Sequence, residues 1–269
     1  PRDPRRVLAA AAHLSVEACE TARVRLGEAT TAEVRAASTA MASDDGTLAP
    51  IVLIPVGSTE QHGPHLPLNV DTLVAEEVAG RTLHRTGGLV LGPTISVSAS
   101  GEHAGFAGTL SIGTEVMTAV ASELGRSADW AAGVVFVNGH GGNHEALTNA
   151  VDTLTAEGRK VVSWWPKWRR RQDGGPPDLH AGRSETSLML AIDPGLVRLE
   201  LAARGPDTPL DELVPALRRD GMAAVSPNGV LGDPEGASGA EGERFIDDFV
   251  TDLMMTIEAW RPIDPTPAT

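Results

Sequence analysis

The sequence predicts an α/β fold with a mainly parallel sheet covered on both faces. Three observations carry that prediction. Short, almost wholly apolar runs recur along the chain; segments of helical pattern separate them; and polar, glycine- or proline-rich loops follow two of the runs. Strand–helix–strand alternation of this kind gives parallel sheets, whose strands are apolar on both sides because helices cover both faces.

In chain order, residues 1–28 are rich in alanine and charge and show no element that can be placed. Thr30-Thr-Ala-Glu33 reads as a capping box opening a short helix, because a threonine and a glutamate three residues apart satisfy each other's backbone donors. Candidate strands follow at 51–56, 89–97, 133–137 and 160–165, and candidate helices near 70–86, 114–130 and 144–158. Residues 172–178 and 226–240 are rich in glycine, proline and serine and read as loops. Phe245, Ile246, Phe249, Val250, Leu253, Met254 and Ile257 recur at helical spacing, which predicts a long amphipathic helix with its stripe in the core. There is no internal repeat. The expected organisation is an N-terminal extension over 1–28, one domain over 29–262, and a flexible tail over 263–269.

Bulk properties narrow the function. The 269 residues carry a formal net charge of −14, which would repel a phosphate backbone or an anionic membrane surface, so neither nucleic acid nor membrane is an expected partner. The 41% hydrophobic content allows a sizeable core. Cys19 is the single cysteine, so no intrachain disulfide can form, which fits a reducing cytoplasm. No run of about eighteen apolar residues is present to span a membrane, and the apolar part of residues 1–12 is too short and weak for a secretory signal.

The chemistry concentrates where strands end. Gly57-Ser-Thr-Glu-Gln-His-Gly-Pro-His-Leu-Pro-Leu-Asn-Val-Asp71 follows the first strand and holds two carboxylates and two imidazoles. Glu60 and His62 stand two apart, so an extended segment directs both to one side. Pro64 and Pro67 stiffen the turn that leads to Asp71. Mixed oxygen and nitrogen donors suit Zn²⁺, Mn²⁺ or Fe²⁺. A polar loop with hydrogen-bonded side chains explains the same residues. The second loop, Asn138-Gly-His-Gly-Gly-Asn143, follows Val134-Val-Phe-Val137 and favours the metal reading, with His140 completing the set. A phosphate loop is the competing reading, but the Lys-Ser/Thr of a P-loop is missing. His144 reads as a helix-surface residue. In His180-Ala-Gly-Arg-Ser-Glu-Thr-Ser187, Ser184 reads locally as a helix N-cap and Glu185 as a first-turn acid.

Together these motifs, Glu60-Gln-His-Gly-x-His-Leu-Pro-Leu-x-x-Asp71, the His140 loop and the His180–Ser187 segment, resemble the creatininase family from about residue 50 to 260. The resemblance implies a three-layer α/β/α amidohydrolase with one or two divalent metal ions per subunit, assembled as a hexamer or related even-numbered homo-oligomer. It makes Glu60, His62, Asp71 and His140 metal ligands, with Asp71 bridging. Creatininase carries a glutamate two residues beyond the loop histidine, where this chain has Gly142; Glu185 is then the candidate to supply the second ion. Ala99–Gly113, Ala224–Asp233 and Ala240–Glu243 are similar to a peptidase subgroup of the family. For that subgroup the substrate is the modified C-terminal end of a small precursor peptide, and hydrolysis of one peptide bond releases a cross-linked, decarboxylated Val-Tyr-derived fragment. Asn69-Val70 departs from the more usual Asp-Thr of that pattern, which bears on substrate contacts. His180 is the candidate proton shuttle and Glu185 a catalytic-site residue. Glu102 and His103 are candidates to line the substrate pocket, against a reading as a solvated loop pair. Asn143 is a candidate to bind substrate or orient His140. Amide hydrolysis on a small cyclic substrate, and a metal-holding scaffold without turnover, are the alternative functions. Trp164, Trp165, Trp168, Lys167 and Arg169–Arg171 read as a strand end with a solvated basic run, as a substrate-receiving rim, or as a subunit interface.

Overall fold

The computed structural model describes residues 24–41, 49–168, 178, 180–206 and 210–260. Five strands form one all-parallel sheet in the order β1-β3-β2-β4-β5: β1 is Val24–Arg25, β2 Ile51–Val56, β3 Leu89–Leu91, β4 Gly133–Asn138 and β5 Val161–Trp164. The longer helices are α1 (Thr31–Met41), α2 (Val70–Arg85), α3 (Gly113–Ser127), α4 (His144–Ala156), α5 (Arg183–Ile192), α6 (Leu210–Asp220) and, after the single turn α7 (Met222–Val225), α8 (Gly239–Trp260).

The central strands show why the sheet is buried on both sides. Successive side chains alternate faces. In β2, Ile51 and Leu53 enter one core, while Val52, Ile54 and Val56 enter the other. In β4, Val135 and Val137 go to the first and Val134 and Phe136 to the second. The first core is closed by α2, α5 and α8, the second by α3 and α4. This is the expected three-layer arrangement, and with all its strands parallel it matches the expected mainly parallel sheet.

Elements fall close to their expected places. The capping box at α1 is formed: the Thr30 amide donates to Glu33 Oε2 at 2.7 Å, and the Glu33 amide donates to Thr30 Oγ1 at 3.3 Å. The C-terminal stripe is core, with Phe245, Ile246, Phe249, Val250, Leu253 and Ile257 buried. Two strands differ from expectation. β3 ends at Leu91, where Gly92-Pro93 follows; beyond it the chain meets β2 through the Gly92 amide, which donates to Leu53 O, and an isolated bridge between Val56 and Ile95. β1 lies within the segment the sequence left unplaced; two residues are too few to make a periodic signal. Most of residues 1–28, with Cys19, and residues 263–269 lie outside the described residues, as does most of the 172–178 loop. No helix among the described residues is long and apolar enough to cross a membrane.

The carboxyl ends of β2 and β4 lie side by side, Val56 paired with Asn138. Loops beyond such ends are where parallel sheets bind ligands, and both motif-bearing loops leave from here.

Candidate metal centre

The loop after β2 is fixed before it reaches its functional residues. The Glu60 amide donates to Leu68 O at 2.9 Å, closing the loop on itself, and Thr72 Oγ1 donates to Ser58 O at 2.8 Å. Asp71 therefore sits in the first turn of α2, pointing back at the loop it ends, with Ser58 Oγ donating to its Oδ2 at 2.7 Å. His62 is oriented through Nδ1, 3.2 Å from Glu60 O, so that Nε2 faces Asp71 Oδ1 at 3.3 Å and Glu185 Oε2 at 3.9 Å.

The loop after β4 brings His140 onto the other side of Asp71, with Nδ1 3.0 Å from Oδ2. Gly139 permits this approach, because a Cβ there would collide with the Asp71 carbonyl oxygen. Asn138 Nδ2 donates to His140 O at 2.7 Å. Asn143 is completely buried; its amide donates to Gly57 O and Asn138 Oδ1 and accepts from the Ala99 amide. Asn143 thus ties the His140 loop to Gly57 and Ala99.

The loop before α5 supplies the rest. Glu185 belongs to the first turn of α5, as read locally, yet its carboxylate also reaches the centre, and the Ala181 amide donates to its Oε2 at 2.5 Å. Ala181 is the one non-glycine residue with a left-handed backbone among those described, at φ 52°. It lies between His180 and Glu185 where the chain turns both into the site. His65, although imidazole-bearing, is occupied structurally: its Nε2 pairs with Thr186 Oγ1 at 2.9 Å across 121 residues of sequence, tying the first loop to α5.

Three groupings of donors lie close enough to share an ion: Glu60 with His62 and His180, Glu60 with Glu102 and His140, and His62 with Asp71 and Glu185, the donor atoms of each lying within 4.8 Å of one another. Glu60 Oε2 is buried and has no hydrogen-bond partner; His140 Nε2 lies 3.2 Å away but bonds to Ala99 O instead. Buried carboxylate oxygens are rarely left so, and a cation is what a mixed carboxylate–imidazole set without cysteine accommodates. The donors present therefore fit a divalent transition metal.

Electrostatics agree. Burial raises Glu60 to about 7, with Asp71 adding to the rise, and burial likewise raises Glu185 to about 7. Burial opposes charge on His62 and His140, but the surrounding carboxylates win, raising His62 to about 9 through Asp71 and His140 to about 10 through Glu60 and Asp71. Burial likewise opposes ionised Asp71, and the two imidazoliums nonetheless hold it well below the usual carboxylate range. Protons thus occupy the place of positive charge when metal is absent.

A stability prediction follows for the metal-free protein. The two raised histidines contribute fully below their unfolded value of about 6.5 and lose that contribution as pH climbs toward about 9 and about 10. The raised carboxylates also lose stability, as pH climbs from about 4.5 through about 7. Asp71 acts in the opposite sense, but its contribution is lost only in acid. The melting temperature of metal-free protein is expected to fall between about pH 6 and about pH 9. Metal, which must displace those protons, is expected to raise it more at about pH 8 than at about pH 6. A metal increment that does not grow with pH in calorimetry would detach these groups from the ion.

Sequence reasoning missed Gln61. Its Nε2 lies 2.9 Å from His103 Nδ1, 3.0 Å from His180 Nε2 and 3.1 Å from Gly229 O. An amide has two protons for these three neighbours. The network closes if His180 carries its proton on Nε2, donating to Gln61 O at 2.8 Å, which leaves Nδ1 as its basic nitrogen. His103 is buried, with Nε2 3.4 Å from Glu60 Oε1, so it is no solvated loop residue. Burial, then the charges on His62 and His140, lower it to about 3; burial and His62 lower His180 too. The only available signal for Gln61 was its place between Glu60 and His62.

The centre opens into a cavity of about 1100 Å³ bounded by Glu102 and His103, by His144 and Glu145 of α4, and by Leu217 and Arg219 of α6. His144 is exposed, as expected, and its ring lies 4.9 Å from that of Trp165. Trp164 and Trp168 instead pack against Phe249 of α8, with Trp164 Nε1 donating to Asp252 at 2.9 Å. This accounts for two of the tryptophans as core; Arg169–Arg171 lie outside the described residues. The similar stretch at 240–243 also braces the helices. Arg183 pairs with Glu241 at 2.7 Å and Arg81 with Glu243 at 2.6 Å, joining α5 and α2 to α8.

Comparison with known proteins places this geometry in context. The creatininase family profile, described as creatinine amidohydrolase, matches residues 28–257. The mycofactocin precursor peptide peptidase of Mycobacterium ulcerans (strain Agy99) is 49% identical over 222 residues, covering 79% of this chain and 86% of that protein. Among solved structures, a tryptophan-to-phenylalanine mutant of creatininase superposes with a TM-score of 0.72 at 28% identity, covering 88% of this chain and 99% of its own. A zinc–zinc form of another creatininase mutant gives 0.69 at 26% identity, covering 88% and 98%.

Proposed function

The chain belongs to the creatininase family and is a metal-dependent hydrolase, and from that premise we propose that it is a peptidase acting on a modified mycofactocin precursor peptide. The cut falls near the C-terminus of the peptide and releases the cross-linked Val-Tyr-derived fragment. The observation that carries the metal reading is the buried Glu60 Oε2, which lacks a hydrogen bond, on a residue shared by two of the three donor groupings. The substrate reading rests on 49% identity to a peptidase of that name. A cavity of about 1100 Å³ also suits a peptide end better than a small cyclic amide.

Glu60, His62, Asp71, His140 and Glu185 would hold the ion or ions; the two oxygens of Asp71 face different histidines. Zn²⁺, Fe²⁺ and Mn²⁺ all match the donors. When bound, the metal lowers the pKa of water and polarises the scissile carbonyl. His180 takes a proton from the attacking water at Nδ1 as the C–O bond forms, and returns it to the amine as the C–N bond breaks. Gln61 keeps that nitrogen free by holding the opposite one. His103 and Glu102 border the path of the peptide. The protein works in the cytoplasm as a homo-oligomer, a hexamer or related even-numbered state, over a domain spanning 29–262.

Metal-loaded protein incubated with the modified precursor is expected to cleave it and to leave creatinine unchanged; chelation should stop cleavage and Zn²⁺, Fe²⁺ or Mn²⁺ restore it. Turnover of creatinine alone would move the reading to a small cyclic amide. Binding of the precursor without cleavage would make the protein a scaffold.

A further inference from the structure

We propose that Glu102 is a metal ligand, the third protein donor of the position made by Glu60 and His140. This deepens the metallohydrolase reading and rests on it. Glu102 comes from a single 3₁₀ turn, Gly101–His103, on a loop that belongs to neither motif-bearing strand end. Its Oε1 lies 3.6 Å from His140 Nε2, and Glu60, Glu102 and His140 each offer a donor atom within 4.8 Å of the others. Two of the three are buried, and the buried Glu60 oxygen facing them lacks a hydrogen-bond partner.

Gly142 shows that the position of Glu102 is accommodated by the neighbouring loop. A Cβ on residue 142 would collide at once with Glu102 Oε1, with His140 Nε2 and with the Ala99 carbonyl. The glycine thus keeps open the space in which the Glu102 carboxylate meets His140. Among the described residues no hydrogen bond or lysine or arginine ion pair holds that carboxylate; its ionic neighbour is His140, which shares the same donor grouping. Four carboxylates, those of Glu60, Asp71, Glu102 and Glu185, converge with three imidazoles, those of His62, His140 and His180. A second carboxylate beside Glu60 adds repulsion unless a cation lies between them.

The turn is itself anchored. The His103 amide donates to Ser100 O at 3.1 Å, and Phe106, three residues further, packs into the small cluster of Leu213, Met222 and Leu231. Helix α6 and turn α7 therefore press on the loop that carries Glu102, so the ligand reaches the ion as part of the cavity wall. With one side facing the cavity and its side chain 27% exposed, Glu102 can be changed without opening the core.

The test compares wild type with Glu102→Gln, both stripped, loaded with Mn²⁺ or Zn²⁺ and freed of excess metal. Elemental analysis and competitive titration give stoichiometry and affinity, and the electron paramagnetic resonance of bound Mn²⁺ reports its ligand field. In Glu102→Gln, one ion is expected to bind at least ~10-fold more weakly, the lower end of what outer-shell losses cost, with an altered Mn²⁺ spectrum and an unchanged metal-free melting temperature. Wild-type stoichiometry, affinity and spectrum, whether or not KM rises, would overturn the proposal and leave Glu102 a substrate contact. If wild type itself takes up no metal, the metallohydrolase reading falls and the proposal falls with it.

Discussion

Asp71→Asn is expected to abolish turnover and to release metal, with affinity falling by more than the roughly 10–100-fold that loss of an outer-shell partner costs. The change is nearly isosteric, so its effect is electrostatic. Oδ1 faces His62 and Oδ2 faces His140. An amide in its place turns N–H donors toward groups arranged for an anion, and removes one unit of negative charge from a buried site. The start of α2 should survive, because Thr72 remains to bond Ser58 O. Elemental analysis, circular dichroism and cleavage of the modified precursor separate these effects. Retained metal with retained turnover in a folded variant would show that Asp71 is merely a helix-start acid.

His180→Ala is expected to keep its metal and to lose about 10²–10⁴-fold in kcat, the range of a positioned general acid–base. The side chain ends a chain of contacts, Glu60 to His103 to Gln61 to His180, that stays largely intact when the last member is removed. Metal content and the pH profile of kcat measured together are decisive. If metal leaves with the imidazole, His180 is a ligand of the Glu60–His62 grouping. If kcat stays at the wild-type value, its proton is not the one transferred.

The parts of this architecture that were readable in sequence are those whose cause is local. β2 and β4 are continuous apolar runs because both faces are buried, and that property survives in one dimension. Glu60, His62, Asp71 and His140 could be grouped because a parallel sheet delivers successive strand ends to one edge. Other features depend on three-dimensional neighbours. β3 loses its expected second half to Gly92-Pro93, whose effect on pairing needs a partner strand to be visible. Glu185 satisfies the local rule for a first-turn acid while also facing His62. Gln61, between two stronger motif residues, gains its role only from His103, His180 and Gly229, which lie far off in sequence. The burial of His103 depends equally on long-range packing.

The hydrogen bond between His65 and Thr186 joins residues 121 apart, and that from His180 Nε2 to Gln61 O spans 119. Closing loops of such length carries an entropic cost that only the assembled sheet and its helices offset. The donor groupings therefore do not exist in a partly folded chain; Glu185 joins His62 only once α5 has docked. Metal is therefore expected to bind the assembled structure most tightly and to slow its unfolding, a result that unfolding rates measured with and without Zn²⁺ would check.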